Sequence, residues 1–229
     1  MILDERLDLR GKHSLFSPSQ PSFFGYSPEE FYDKLINKYR STLGTDIHEY
    51  AMYCIKRSHR IKSTRELISD IDQYIYSKYF IEKLDTIPKE TKRELACLGA
   101  VAKNTPEIFE TVKAYVNDAI SFHMKTEVVL YYTDDFFGHA DSLIFTKNML
   151  RIHDLKTGVT PAHIEQLLGY AALFCLRNKI EPENIQTELR IYQTNDILIA
   201  TPNPEEIRDY MECYRVFNDI IRTIEGGDA

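Results

Sequence analysis

The hydrophobic pattern of this chain changes its period once, near residue 124, and this change limits the folds that the chain can adopt. Before it, apolar residues recur every three or four positions, as in amphipathic helices; the predicted helices cover residues 27–40, 45–58, 64–84, 88–103 and 105–122. After it, short runs are rich in β-branched and aromatic residues; the predicted strands cover residues 125–133, 139–146, 149–156, 187–193 and 197–200. The sequence therefore predicts an α/β fold, with a central mixed sheet flanked by helices and a helical first half.

The chain of 229 residues has the length of one ordinary domain. No internal repeat or low-complexity linker interrupts it. We therefore predict a single domain, with a mostly helical part over residues 1–122 and a sheet part with a closing helix over residues 123–229. Residues 1–26 contain prolines, serines and aromatic residues, and we expect an irregular arm that packs on the body.

Short motifs predict where several helices begin. Ser27–Glu30 reads Ser-Pro-Glu-Glu, which places a capping residue, a first-turn proline and a glutamate in the order of a capping box. Asn203–Glu206 repeats this order, and Thr160-Pro161 predicts a further helix that ends near Cys175. Gly44 predicts a break between the first two helices, because glycine disfavours a helix interior.

Composition argues against several classes of protein. The formal net charge is −7, which disfavours a nucleic-acid surface over the whole molecule but is compatible with a local basic groove. The four cysteines are far apart, so neither an iron–sulfur cluster nor a disulfide framework is expected. No apolar run approaches a membrane span, and the charged N-terminus is unlike a secretory signal. We therefore expect a cytoplasmic protein without a membrane partner.

Two aspartates and a lysine are expected to converge on neighbouring strands. Asp154 and Lys156 are two residues apart on one predicted strand, so their side chains point to the same face. Asp141 lies on the preceding strand, and a hairpin would bring it close to Asp154. Burying two carboxylates without a partner is costly, and a divalent cation with oxygen ligands is a natural partner. The alternative is a surface Asp–Lys pair, because a lone Asp-x-Lys carries little information.

An ordered set of motifs resembles the PD-(D/E)XK nucleases, and most closely the RecB-like branch that includes phage recombination exonucleases and Cas4-like enzymes. The motifs are Ser-Pro-Ser (17–19), Gly-Thr-x-x-His-Glu (44–49), Gly-x-x-Asp (138–141), Asp-x-Lys-Thr-Gly (154–158) and Gln-x-x-x-Tyr (166–170). The resemblance covers roughly residues 15–200. It implies a restriction-endonuclease-like core and a nuclease activity.

The resemblance implies a metal site with a catalytic lysine. Asp141 and Asp154 would bind Mg²⁺ or Mn²⁺, with His48 and the backbone carbonyl of Leu155 as further ligands. Lys156 would hold the nucleophilic water and, with the two aspartates, form the catalytic set. The iron–sulfur cysteines of some relatives are absent, so no cluster is expected.

Other side chains are candidates for the surroundings of this site. The resemblance assigns Gln166 and Tyr170 to contacts with the DNA strand, and their spacing of four places both on one helix face. Glu49 and His139 are candidate neighbours of the metal ligands, and Glu127 could aid a second metal. The alternative for each of these three is an ordinary solvated residue or strand residue with no role at the site.

The expected function is a metal-dependent nuclease that hydrolyses DNA phosphodiester bonds. The resemblance favours an exonuclease in recombination, repair or phage DNA metabolism, in a bacterial or phage-infected cell. Its expected partner is DNA, with a recombinase, a single-strand annealing protein or a helicase as candidate protein partners and a homo-oligomer as a candidate assembly. A structure-selective endonuclease or an RNA substrate stays open. The alternative of another class is a catalytically silent, nuclease-like module that binds DNA or a protein.

Overall fold

The computed structural model describes residues 25–80, 88–158 and 160–226, and it has an α/β architecture. The helices are α1 (Pro28–Lys56), α2 (Thr64–Phe80), α3 (Lys89–Asn104), α4 (Glu107–Ser121), α5 (Glu165–Asn178) and α6 (Pro204–Ile224). The strands are β1 (Lys125–Thr133), β2 (Phe136–Thr146), β3 (Met149–Lys156), β4 (Gln186–Gln193) and β5 (Asp196–Ala200). The predicted arm, apart from Gly25 and Tyr26, and the Ser17-Pro18-Ser19 motif lie outside the described residues.

The five strands form one mixed sheet in the order β1-β2-β3-β4-β5. Strands β1, β2 and β3 are antiparallel neighbours, β3 and β4 are parallel, and β4 and β5 are antiparallel. The β2–β3 turn is formed by Lys147 and Asn148, both with positive φ (49° and 61°), as a two-residue hairpin turn requires. The parallel pair requires a crossover, and helix α5 provides it.

Two hydrophobic cores lie on the two faces of this sheet. Helices α1 to α4 form the first core, to which Leu155 and Tyr192 contribute from the sheet. Helices α5 and α6 cover the other face, where Leu150 and Ile152 of β3 are fully buried. Alternate residues of β3 therefore belong to different cores, so the face that each β3 side chain occupies is firmly specified.

Helix α1 is continuous, and the predicted break at Gly44 is wrong. The helix begins with the predicted capping box, in which Glu30 N–H donates to Ser27 Oγ at 3.2 Å and Ser27 N–H donates to Glu30 Oε2 at 2.8 Å. Glycine in a helix interior costs about 1 kcal/mol relative to alanine. Burial of the apolar face of α1, including Leu43 and Ile47, outweighs this cost.

Helix α5 begins at Glu165, so the prediction that it starts at Thr160-Pro161 is wrong. The segment after β3 instead follows a non-helical path, because the Gln193 side chain binds its backbone at Gly158, Thr160 and Ala162. These tertiary hydrogen bonds prevail over the local capping signal. Helix α6 begins with the predicted capping box at Asn203.

None of the helices in the described ranges has both the length and the apolar character that a membrane span needs.

Candidate metal and nucleic-acid site

The Asp-x-Lys motif lies at the end of β3, and its lysine connects the strand to helix α5. Lys156 Nζ lies 3.2 Å from Asp154 Oδ1 and 2.9 Å from Asp154 Oδ2. The same ammonium donates to Gln166 Oε1 at 3.0 Å, and Gln166 Nε2 donates to Tyr170 Oη at 3.0 Å. The structure therefore links the predicted aspartate and lysine to both predicted substrate-binding side chains in one hydrogen-bonded chain.

Asp141 brings the second carboxylate to the same end of the sheet. Its Oδ2 accepts a hydrogen bond from the Leu155 N–H at 2.9 Å, which fixes the carboxylate beside β3. His48 Nδ1 of helix α1 lies 3.6 Å from the same oxygen. The predicted residues His48, Asp141 and Leu155 are thus in direct proximity, and Leu155 lies between Asp154 and Lys156.

Burial shifts the proton affinities of all three predicted side-chain metal ligands. Burial raises the pKa of Asp154 to about 6, and the charge of Asp141 adds to this rise while Lys156 and His48 oppose it. Burial also raises the pKa of Asp141, against the hydrogen bond from Leu155 and the charge of Lys156. Burial lowers the pKa of His48, although the charge of Asp154 acts in the opposite direction. The imidazole is therefore neutral near pH 7, which is the form that binds metals.

One oxygen of Asp154 is buried and forms an ion pair but no hydrogen bond. The Asp154 side chain is only 5% exposed. Its Oδ2 lies 2.9 Å from Lys156 Nζ in an ion pair but accepts no hydrogen bond, whereas Oδ1 accepts one from the same ammonium. Two carboxylates and a neutral imidazole are groups that could hold a divalent cation, and the carboxylate oxygens are of the kind that Mg²⁺ and Mn²⁺ prefer.

The three side chains do not form a compact ligand group. Among the described residues, the His, Cys, Asp and Glu side chains whose ligand atoms all lie within 4.8 Å of one another are His59, Glu66 and Asp70. Those three lie around the start of helix α2, and Asp70 also accepts a hydrogen bond from Tyr50 Oη at 3.1 Å. The sequence interpretation did not single out this group, whose members have no metal-binding spacing in the sequence.

The candidate neighbours of the metal ligands differ in their relation to the site. Glu49 binds Lys78 of helix α2 and accepts a hydrogen bond from the Tyr74 hydroxyl, so it faces away from the sheet end. Glu127 forms an ion pair with Lys56 at 2.7 Å, and its charge contributes to the raised pKa of Asp141. Glu127 is therefore an electrostatic neighbour of the site.

His139 is an exposed residue of β2. Its ring meets that of Phe137 at 6.2 Å with an interplanar angle of 82°. This contact places the His139 ring beside another exposed side chain of its own strand.

A cavity of about 600 Å³ adjoins His48. Its polar wall comes from helix α1 and from the segment after β3, and these lining residues are Arg40, Ser41, Thr45, Thr157 and Thr160. Within the described residues, Arg40 Nε is buried without a hydrogen-bond partner. Sequence reasoning missed this cavity, because its two walls come from segments more than 100 positions apart.

Gly138 gives the Gly-x-x-Asp motif a steric role. A Cβ atom at this position would lie 2.6 Å from Cε1 of the Tyr170 ring, closer than atoms in contact can approach. Glycine therefore allows Tyr170 to lie directly on β2, within reach of Gln166.

Comparison with known proteins identifies a family and no individual relative. Neither the curated proteins nor the solved structures include a match to this chain. A family model described as "Protein of unknown function (DUF2800)" matches residues 32–192, which is more than half of the chain and contains every predicted site residue. The chain therefore belongs to the DUF2800 family.

Proposed function

We propose that this protein is a metal-dependent nuclease that hydrolyses DNA phosphodiester bonds. The observation that carries the proposal is the chain Asp154–Lys156–Gln166–Tyr170, joined by hydrogen bonds of 3.0–3.2 Å, with Asp141 and His48 beside it. Such a group combines metal-binding oxygens, an ammonium and substrate-contacting side chains at one end of a sheet. An exonuclease of recombination, repair or phage DNA metabolism is the form of this activity that the motif order favours.

The architecture supports a restriction-endonuclease-like core as part of this proposal. The resemblance to PD-(D/E)XK nucleases leads us to expect a central mixed sheet flanked by helices. The observed five-stranded mixed sheet, with helices on both faces, agrees with that expectation. The motif residues lie at one end of this sheet, where the antiparallel and parallel parts join at β3.

In this proposal, Asp141, Asp154, His48 and the Leu155 carbonyl would hold Mg²⁺ or Mn²⁺. When bound, the cation lowers the pKa of a coordinated water and neutralises negative charge at the phosphate. The buried Oδ2 of Asp154, which forms an ion pair but no hydrogen bond, and the neutral His48 ring are suited to this role. The hydrogen bond from Leu155 N–H would keep the Asp141 carboxylate oriented toward the site.

Lys156 would position the attacking water. Its ammonium is held between Asp154 and Gln166 and remains 31% exposed, so it can contact both the buried carboxylate and a substrate. Gln166 and Tyr170 are the DNA-contacting pair of the proposal. Both belong to the first half of helix α5, and the Tyr170 ring lies against Gly138 of β2.

A cleavage assay tests the proposal. Purified protein with Mg²⁺ or Mn²⁺ is expected to degrade linear DNA, and comparison with circular and single-stranded DNA separates an exonuclease from an endonuclease. Asp154→Ala and Lys156→Ala should each reduce the rate by at least about 100-fold. Asp134→Ala, in the exposed β1–β2 turn, is a matched control for the loss of a carboxylate. Full activity in both site variants would exclude this assignment.

The second candidate is a catalytically silent, nuclease-like module that binds DNA or a protein partner. Two observations favour it: Lys156 forms an ion pair with Asp154, and the ligand atoms of His48, Asp141 and Asp154 do not form a compact group. Metal-independent DNA binding, with no cleavage of linear, circular or single-stranded substrates, would support this candidate over the enzyme.

A further inference from the structure

The side chain of Gln193, the last residue of β4, binds three backbone groups of the segment that follows β3. Its Nε2 donates to the carbonyls of Gly158 and Thr160, each at 2.7 Å. Its Oε1 accepts from the Ala162 N–H at 3.0 Å. A primary amide has two N–H donors and a carbonyl acceptor, and all three functions are used here.

The segment that Gln193 binds connects Lys156 of β3 to helix α5, which carries Gln166. It begins directly after Lys156, which is the register partner of Gln193 in the parallel β3–β4 pair. It supplies Thr157, Gly158 and Thr160 to the wall of the cavity beside His48. It ends at helix α5, whose first turn carries Gln166. The path of this segment therefore determines the shape of the cavity wall and the point from which α5 begins.

We propose that Gln193 is a positioning residue that holds the backbone at Gly158, Thr160 and Ala162 in the conformation required for substrate binding. Glutamate cannot replace it, because a carboxylate would face two carbonyl oxygens without a hydrogen to donate. Without the two donated bonds, the segment would populate other conformations, and the substrate would bind only to the competent fraction. The segment does not include Asp154 or Lys156, so the chemical groups themselves stay in place.

The test compares Gln193→Glu with Gln186→Glu. Gln186 is the exposed first residue of the same strand, so the control makes the same chemical change at the opposite end. If one tenth of the molecules keep the competent conformation, Gln193→Glu raises the KM for DNA about tenfold, while kcat changes less than about twofold. Gln186→Glu is expected to leave both constants unchanged. A purely structural contribution would lower the melting temperature and the active fraction without this separation of KM from kcat.

Amide hydrogen exchange tests the same inference without cleavage. The reporter is the peptide that covers residues 157–164, compared with peptides from helices α3 and α4. In Gln193→Met, which keeps the side-chain length and removes all three hydrogen bonds, the reporter should exchange at least about tenfold faster than in the wild type, with no change in α3 and α4.

The kinetic arm rests on the proposed nuclease function, whereas the exchange arm does not. If the wild type fails to cleave DNA, the function proposal fails and the exchange measurement still decides whether Gln193 orders the segment. Unchanged exchange in the reporter, or equal KM values for Gln193→Glu and Gln186→Glu, would overturn the positioning role.

Discussion

Replacing Asp154 by asparagine is expected to stabilise the metal-free protein at alkaline pH. The side chain is 5% exposed, and burial together with the charge of Asp141 raises its pKa to about 6. The same group has a pKa of about 3.9 in an unfolded chain. The folded protein therefore binds more protons than the unfolded chain between about pH 4 and pH 6, so stability falls as the pH rises through this window. Above it, the ionised carboxylate costs about 3 kcal/mol of unfolding free energy.

Asparagine removes this cost with almost no change in shape. The pKa of about 6 already includes the favourable charge and hydrogen bond of Lys156, so their loss is not a separate cost. Lys156 keeps its hydrogen bond to Gln166. The expected gain is therefore about 3 kcal/mol at about pH 8, which corresponds to a rise of roughly 6–12 °C in melting temperature for a chain of this size. The gain should shrink toward zero as the pH falls to about 4.

Urea and thermal unfolding in the presence of EDTA measure this difference at about pH 8 and about pH 5. Asp134→Asn, in the exposed β1–β2 turn, is the matched control and should have little effect. If Asp154→Asn is less stable than the wild type at both pH values, the ionised carboxylate is favourable in the fold and the reasoning is refuted. In a separate measurement without EDTA, added Mg²⁺ should stabilise the wild type, because a ligand that binds the folded state raises its stability. It should not stabilise Asp154→Asn, which lacks one of the proposed carboxylate ligands.

Two further predictions concern local geometry. Gly138→Ala places a Cβ atom 2.6 Å from the Tyr170 ring. We expect this overpacking to lower the free energy of unfolding, measured in urea, by about 1–3 kcal/mol. DNA binding in a gel-shift titration should also weaken, because Tyr170 must move. Asn203 caps helix α6, because its Oδ1 accepts a hydrogen bond from the Glu206 N–H at 3.0 Å. Asn203→Ala removes this cap and should lower the free energy of unfolding, measured in urea, by about 1 kcal/mol, with no change in DNA binding.

Elements that depend on nearby residues could be predicted from the sequence. The capping boxes at Ser27 and Asn203 are confirmed, because each involves residues no more than three positions apart. The β2–β3 hairpin is confirmed for the same reason, since Lys147 and Asn148 alone form its turn. Strand alternation also predicted that Asp154 and Lys156 share a face, and their ion pair agrees with this.

Features that depend on distant residues were missed or predicted wrongly. Thr160-Pro161 predicts the start of α5 too early, because nothing near it reveals that Gln193 holds the segment in another conformation. The proximity of His48 to Asp141 was expected only from the family resemblance, since several histidines have similar local surroundings. The cavity beside His48 could not be predicted, because its shape depends on how closely two separate segments approach.

The unbroken path of helix α1 through Gly44 has a mechanical consequence for the candidate site. A Cβ atom at Gly44 would lie 3.0 Å from the Thr157 hydroxyl, so the helix already touches the segment after β3 at this position. His48 lies about one turn further along the same continuous helix, so it cannot shift without moving the buried residues around it. The close approach of Gly44 to Thr157 therefore limits how near the His48 ring can come to the Asp141 carboxylate. A bulkier residue at position 44 would press against Thr157 and widen the gap between the two walls of the cavity, although it replaces none of the proposed site residues.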